Sequence, residues 1–242
     1  MTEKTILVDK YITTSTKEFA DDNLPIHALA GLHDVIFDKI KNFLPLGSSL
    51  LELASGSGAL AKRLYSTGYK VTASDYVHDN FRLHNTIPFV KQDLNEDFSK
   101  TFNTMFDCIV AIEIIEHLEN PRHFLRECKK LLKPNGFIIF STPNIDNPVS
   151  KSLYLRHGYF QWFSNVNYEV DGHITPITQW MLTKIIDECN FSVINKSSFG
   201  NPFNYLSSWP RMKLIAQLIK ILSNTDKDMN GEVAIYILEA SK

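Results

Sequence analysis

Apolar residues recur at helical spacing over residues 26–44, IHALAGLHDVIFDKIKNFL, and stop at Pro45 and Gly47. Residues 1–25 before them are polar and weakly patterned. Short apolar runs then alternate with amphipathic stretches. SLLEL (49–53) reads as a strand and 58–67 as a helix. KVTAS (70–74) and FVKQ (89–92) read as strands, and FDCIVAI (106–112) as a buried one. PRHFLRECKKLL (121–132) reads as a helix, with Asn120 as its cap and Pro121 in its first turn. Pro134-Asn135-Gly136 reads as a sharp turn into the strand GFIIFST (136–142). The rhythm breaks over 143–176, resumes with a helix (178–190) and a strand (191–197), breaks again over 198–230, and closes with a strand (232–240). Such alternation predicts an α/β fold: a doubly wound, mostly parallel sheet of about seven strands with helices on both faces. We read residues 1–242 as one domain, with 1–45 as an N-terminal helical segment and 143–176 and 198–230 as insertions.

Composition changes this picture little. The chain has 242 residues, 44% hydrophobic and 21% charged, which suits a globular domain with a substantial core. A net charge of −2 gives no support for a general binder of nucleic acid or membrane surfaces, and leaves room only for a local basic patch. The start, MTEKTILVDKYITT, lacks a basic region followed by an apolar core, so no signal peptide is expected. No apolar run of about 18 residues predicts a membrane span. Cys108, Cys128 and Cys189 are widely spaced in apolar segments and read as buried small hydrophobes in a reducing compartment, so the expected location is cytoplasmic.

The chemistry concentrates after the first sheet strand. Gly56-Ser57-Gly58-Ala59-Leu60-Ala61 fits G-x-G-x-x-G/A, and Asp75 follows 19 residues after Gly56. Glycines let a ligand approach the backbone, a helix start offers free N–H groups, and an acid at the end of the next strand accepts bonds from ribose hydroxyls. Any adenosine cofactor fits this Rossmann-like pattern, and a plain strand–helix turn with a solvated Asp75 is the bland alternative. Glu52, just before the loop, suits a ligand carrying sulfonium and ammonium groups and opposes a pyrophosphate. QDLNEDF places Asp93 and Leu94 where a carboxylate and a backbone N–H can meet an adenine edge.

The run FDCIVAIEIIEHLENPRHFLRECKKLLKPNGFIIFSTPN joins these features. With it, residues 45–197 resemble the class I S-adenosylmethionine-dependent methyltransferases, in particular the ubiquinone-biosynthesis O-methyltransferase type. That family's loop reads E/D-x-G-x-G-x-G; here Ala54 stands at the first glycine, where alanine disfavours a positive φ. The resemblance implies S-adenosylmethionine as cofactor. It places Glu52 at the ammonium end, Ala54, Gly56 and Gly58 beneath that end, Asp75 on the ribose and Tyr76 beside the adenine. Asp93 and Leu94 would meet the adenine, and Ala111 and Ile112 would offer backbone contacts.

Glu113, Glu116 and His117 stand at i, i+3 and i+4, so one helical turn would share them on a face. Two roles stay open beside a structural one. His117 could act as general base on an acceptor hydroxyl. Alternatively the trio could hold a divalent cation such as Mg²⁺. The resemblance extends to the second role: related quinone-pathway and small-RNA 3′-end 2′-O-methyltransferases carry E-x-x-E-H as metal ligands. The RNA enzymes add a later histidine, for which His173 is the match here.

Because ligands sit beyond the carboxyl ends of such strands, the insertions are expected to lie over the acceptor side. Tyr154, Tyr159, Phe160, Trp162 and Phe163 would then stack on an acceptor or pack a lid, and Arg156 and His157 would meet an anionic acceptor or solvent. In 211–223, Met212, Ile215, Leu218, Ile219 and Leu222 form an apolar stripe that reads as core packing or a subunit contact ahead of membrane association. Tyr11 and its segment are expected to close over the cofactor. The favoured function is methyl transfer to a small-molecule acceptor, on oxygen. The alternatives are a metal-assisted RNA 3′-end 2′-O-methyltransferase, an NAD(P)-dependent oxidoreductase on the same turn, or a non-catalytic subunit that keeps the fold. The near-neutral charge weighs against nucleic acid.

Overall fold

The structure, a computed structural model, describes residues 18–20, 24–223 and 226–240. The expectation for Tyr11 therefore falls outside the described residues. A small antiparallel hairpin pairs β1 (Glu18–Ala20) with β2 (Leu24–Ile26). The helix expected over 26–44 is shorter: α1 spans Leu32–Phe43. Gly31, at φ 82°, turns the chain into the helix, so its first residues are taken by β2 and a loop.

The main sheet then assembles. β3 (Ser49–Leu53) leads to α2 (Ala59–Thr67) and β4 (Lys70–Asp75), followed by β5 (Phe89–Lys91) and β6 (Phe106–Ala111). Helix α3 (Pro121–Leu131) begins as its sequence predicts: Asn120 Oδ1 accepts the His123 N–H at 3.0 Å, and Pro121 fills the first turn. β7 runs from Leu132 to Pro143, longer than expected. It pairs Leu132 with Phe106 and then Phe137 with Cys108, so Pro134-Asn135-Gly136 forms a bulge inside the strand. Asn135, at φ 59°, supplies the bend. The first insertion holds a helix the pattern hid, α4 (Pro148–His157), capped by Asn147. α5 (Gln179–Glu188), β8 (Phe191–Phe199), α6 (Pro210–Leu222) and β9 (Val233–Ala240) complete the chain.

The seven strands lie in the order β5-β4-β3-β6-β7-β9-β8. Pairs from β5 through to β7 are parallel, and β9 is antiparallel to both its neighbours. Period-two alternation divides the core. Leu51, Leu53, Ile109 and Ala111 join α3 and α5 on one face. Leu50, Cys108 and Val110 join α1 and α2 on the other. The three cysteines are free and buried, as expected.

Candidate active site

Strand order reverses between β3 and β6, and such a reversal opens a crevice beyond the strands' carboxyl ends. A cavity of about 290 Å³ lies there. Two bends line it. After β3 the chain turns through Ala54 (φ 55°), Gly56 (φ 52°) and Gly58 (φ 89°), and α2 starts with no side-chain cap on its first amides. After β6, Glu113 takes φ 50°, a costly conformation for a side chain larger than glycine. Ala54 does adopt the positive φ that its residue type disfavours.

Nine of the sequence-predicted site residues line this cavity: Ala54, Gly56, Asp75, Tyr76, Asp93, Leu94, Ile112, Glu113 and His117. Asp75 is fixed from both sides, Oδ2 accepting the Gly56 N–H at 2.8 Å and Oδ1 the Val77 N–H at 2.9 Å. A carboxylate offers about four lone-pair sites, so capacity for two hydroxyl donors remains. Burial raises its pKa, and the amides of Val77, Gly56 and Tyr76 oppose that rise.

Glu52, Gly58, Ala111, Glu116 and His173 lie elsewhere. Glu52 lines an adjoining pocket of about 40 Å³, which shares Ala54, Gly56 and His27 with the main cavity. Burial pushes its carboxyl up to about 8, with the Asp75 charge adding to the rise. Its Oε2, and Ser55 Oγ in the same pocket, have no hydrogen-bond partner among the described residues. Gly58 is needed for packing rather than for ligand approach: a Cβ there would meet the Phe81 ring at 2.7 Å. Ala111 is wholly buried in the core beneath the cavity.

The acidic trio does not share a helix face. Ile115–His117 is a single 3₁₀ turn, and Glu113, at a positive φ, lies outside it. Glu113 Oε1 accepts the Ser141 hydroxyl at 2.8 Å, while Ser141 Oγ accepts the Glu113 N–H at 3.1 Å. Burial holds the Glu113 carboxyl up at about 7. Glu116 is fully buried, accepts from Thr142 Oγ1 at 3.1 Å, and is raised well above the usual range by burial and by Glu113. The structure instead joins Glu116 and His117 to His173, with ligand-type atoms within 4.8 Å of one another. Each histidine donates Nδ1–H to a carbonyl, His117 to Gly172 at 3.2 Å and His173 to Trp162 at 2.7 Å. Burial lowers the His117 pKa to about 3 and lowers that of His173.

The profile of a family described as a methyltransferase domain matches residues 28–196. The chain belongs to the methyltransferase-domain family. Among curated members, the ubiquinone biosynthesis O-methyltransferase of Dinoroseobacter shibae is 27% identical over 169 residues, 66% of this chain and 66% of the relative. That of Xanthomonas oryzae pv. oryzae is 30% identical over 147 residues, 57% of this chain and 60% of the relative. The chain thus spans somewhat under two thirds of these relatives. Solved methyltransferases share the fold. A SAM dependent methyltransferase from Archaeoglobus fulgidus is 17% identical with a TM-score of 0.56, over 86% of this chain and 94% of that one. An S-adenosylmethionine-dependent methyltransferase from Clostridium acetobutylicum is 13% identical with a TM-score of 0.57, over 87% and 91%.

Within this methyltransferase fold, the residues at the first bend fit S-adenosylmethionine. The Glu52 oxygen, unpartnered among the described residues, and the nearby Asp75 carboxylate line two adjoining pockets that a cationic ligand complements. Mg²⁺ fits less well. The Glu116, His117 and His173 cluster offers two imidazoles and one carboxylate, whereas Mg²⁺ takes oxygen ligands in a near-octahedral shell.

Of residues 143–176, Gly172 and Ile174 line the cavity; the aromatic side chains do not. Tyr154 stacks on Phe160 at 4.5 Å, and Trp162 meets Tyr205 edge-on at 5.6 Å. No residue of 198–230 lines the cavity among those described. Sequence reasoning missed His27, which lines both pockets, and Gln92 and Asn95 beside Asp93. His27 sits inside the stretch whose spacing predicted a helix, which concealed it. Gln92 and Asn95 flank the quoted Asp93-Leu94, and that adjacency was the signal available.

Proposed function

We propose that this protein is an S-adenosylmethionine-dependent methyltransferase acting on a hydroxyl of a small-molecule acceptor, with Glu113 receiving the hydroxyl proton. One observation carries the reading: among the described residues, the cavity is lined by Asp75, Asp93, Glu113 and Glu119 and by no lysine or arginine. Such a lining attracts a cationic cofactor and repels the phosphates of a dinucleotide or an RNA end. The bound cofactor supplies a methyl group on a sulfonium, a leaving group that needs no protonation.

The chain's own groups bind, align and manage one proton. Asp75 would hold the ribose, Glu52 and Ser55 would meet the ammonium end, and Tyr76, Asp93 and Leu94 would border the adenine. In-line alignment supplies most of the acceleration. Glu113 lines the cavity with a pKa near the working pH, the condition for an effective general base. His117 is a poorer candidate for that role, because an imidazole held at about 3 binds a proton weakly at neutral pH. The curated relatives' name, ubiquinone biosynthesis O-methyltransferase, supports oxygen as the methylated atom. Three free, buried cysteines support a cytoplasmic location.

Calorimetry with S-adenosylhomocysteine and NADH tests the cofactor; NADH binding without a response to S-adenosylhomocysteine would overturn the reading. Glu113→Gln should lower turnover by roughly 10²–10⁴-fold while S-adenosylhomocysteine affinity holds. Wild-type turnover should rise with pH through about 7 as Glu113 loses its proton, and the variant should lack that rise. A second reading, metal assistance, is favoured by the Glu116, His117 and His173 cluster. Turnover that survives a chelator rules it out.

A further inference from the structure

Helix α6 carries two apolar faces where a surface helix normally carries one. Met212 and Ala216 pack inward, beside Val149, Leu153 and Leu206. At 3.6 residues per turn, Leu214, Ile215, Leu218, Ile221 and Leu222 fall on a separate stripe, and all five are exposed, Ile221 at 79% and Leu222 at 83%. The sequence reading of this stripe as core holds only for Met212 and the partly buried Ile219.

The charges on α6 and on the neighbouring α4 have one sign. Arg211, Lys213 and Lys220 are exposed on α6, as is Arg156 on the neighbouring α4. Residues 147–168 and 189–225 contain no Asp or Glu, although the whole chain carries a net charge of −2. At the start of α6, half-exposed Trp209 lies beside His157, with ring centres 5.6 Å apart. An apolar stripe on a helix whose charged residues are all cations, with an indole at one end, has the make-up of a helix that lies in a lipid interface.

We propose that α6 docks this protein on an anionic lipid surface, its leucine and isoleucine stripe entering the acyl boundary and its cations meeting the headgroups. A second copy is the poorer occupant. A two-fold contact would set the cations of each copy against those of the other. One helix of 13 residues, about 20 Å long, also falls short of the ~800 Å² that a stable interface buries on each side. The helix lies on the surface rather than crossing it, since no helix among the described residues is long and apolar enough to span a membrane. This inference is independent of the cofactor and the acceptor.

The test is co-sedimentation of the full chain with phosphatidylcholine vesicles, and with equimolar phosphatidylcholine and phosphatidylglycerol vesicles. The protein should sediment with the anionic vesicles, and release when salt is raised. Ile221→Glu should weaken binding roughly tenfold or more, and so should the paired Lys213→Glu and Lys220→Glu changes. Melting temperature and S-adenosylhomocysteine affinity should stay at wild-type values in both variants. The proposal is overturned by failure to bind anionic vesicles, by equal binding to both vesicle types, or by unchanged binding of the variants. A dimer in light scattering that Ile221→Glu dissolves assigns the stripe to a second copy. A drop of several degrees in melting temperature assigns it to packing within the chain.

Discussion

The bend after β3 and the outer face of α6 are inverted in opposite senses. At the bend, carboxyl groups are inside: Glu52 is 5% exposed and has an oxygen without a partner. On α6, aliphatic side chains are outside, and α6 and the neighbouring α4 carry lysines and arginines but no acids. Both arrangements cost the isolated chain free energy. Each is complementary to something the chain itself lacks, a small cation at the bend and an anionic apolar surface at α6. A departure from ordinary burial is therefore informative about a partner's chemistry, down to the sign of its charge.

The largest expected effect lies at Glu52. Its folded pKa is raised to about 8 from an ordinary 4.5. The unfolded chain therefore ionises it first, so its contribution is intact below about pH 4.5 and is lost as pH rises towards 8. Glu52→Gln should flatten that decline, by roughly 2–4 kcal/mol over the window. Unfolding by denaturant across pH checks this, and parallel curves for the variant and wild type would place the carboxyl in water.

The two sides of α6 give the next contrast. Met212→Ala should cost about 2–3 kcal/mol, because Met212 is 3% exposed and packed. Ile221→Ala should stay within about 0.5 kcal/mol. Similar costs at both positions would mean that the stripe is covered. Asp75→Ala should weaken S-adenosylhomocysteine binding by about 1.5–3 kcal/mol, the scale of hydrogen bonds to a charged group, and titration calorimetry reads it directly. An unchanged affinity would remove the ribose role. A small gain is expected at Ala54. Its φ of 55° suits glycine, so Ala54→Gly should stabilise by roughly 0.5–1 kcal/mol after the added unfolded-state entropy is discounted. Thermal melts resolve this, and a loss of stability would show that the methyl group packs usefully.

Periodicity and punctuation already pointed to the alternating α/β class and to most of its sheet strands. The apolar runs SLLEL and FDCIVAI specified strands, Asn120-Pro121 specified a helix start, and the two glycines with Asp75 specified the bend. These are local signals: each residue's conformational or hydrogen-bonding preference acts within a few neighbours. The tertiary structure decided what depends on distant partners. It took Glu113 off the turn that holds Glu116 and His117, because a positive φ follows β6 and the Ser141 hydroxyl on β7 donates to its carboxyl. It brought His173 to His117 across 55 intervening positions of chain, since Gly172 O meets His117 Nδ1. It gave Gly58 to Phe81 rather than to a ligand, and it turned most of the α6 stripe to the outside. Spacing along the chain states which side chains share a face, but which face is covered, and which carboxyl loses its water, is set by whatever packs against it.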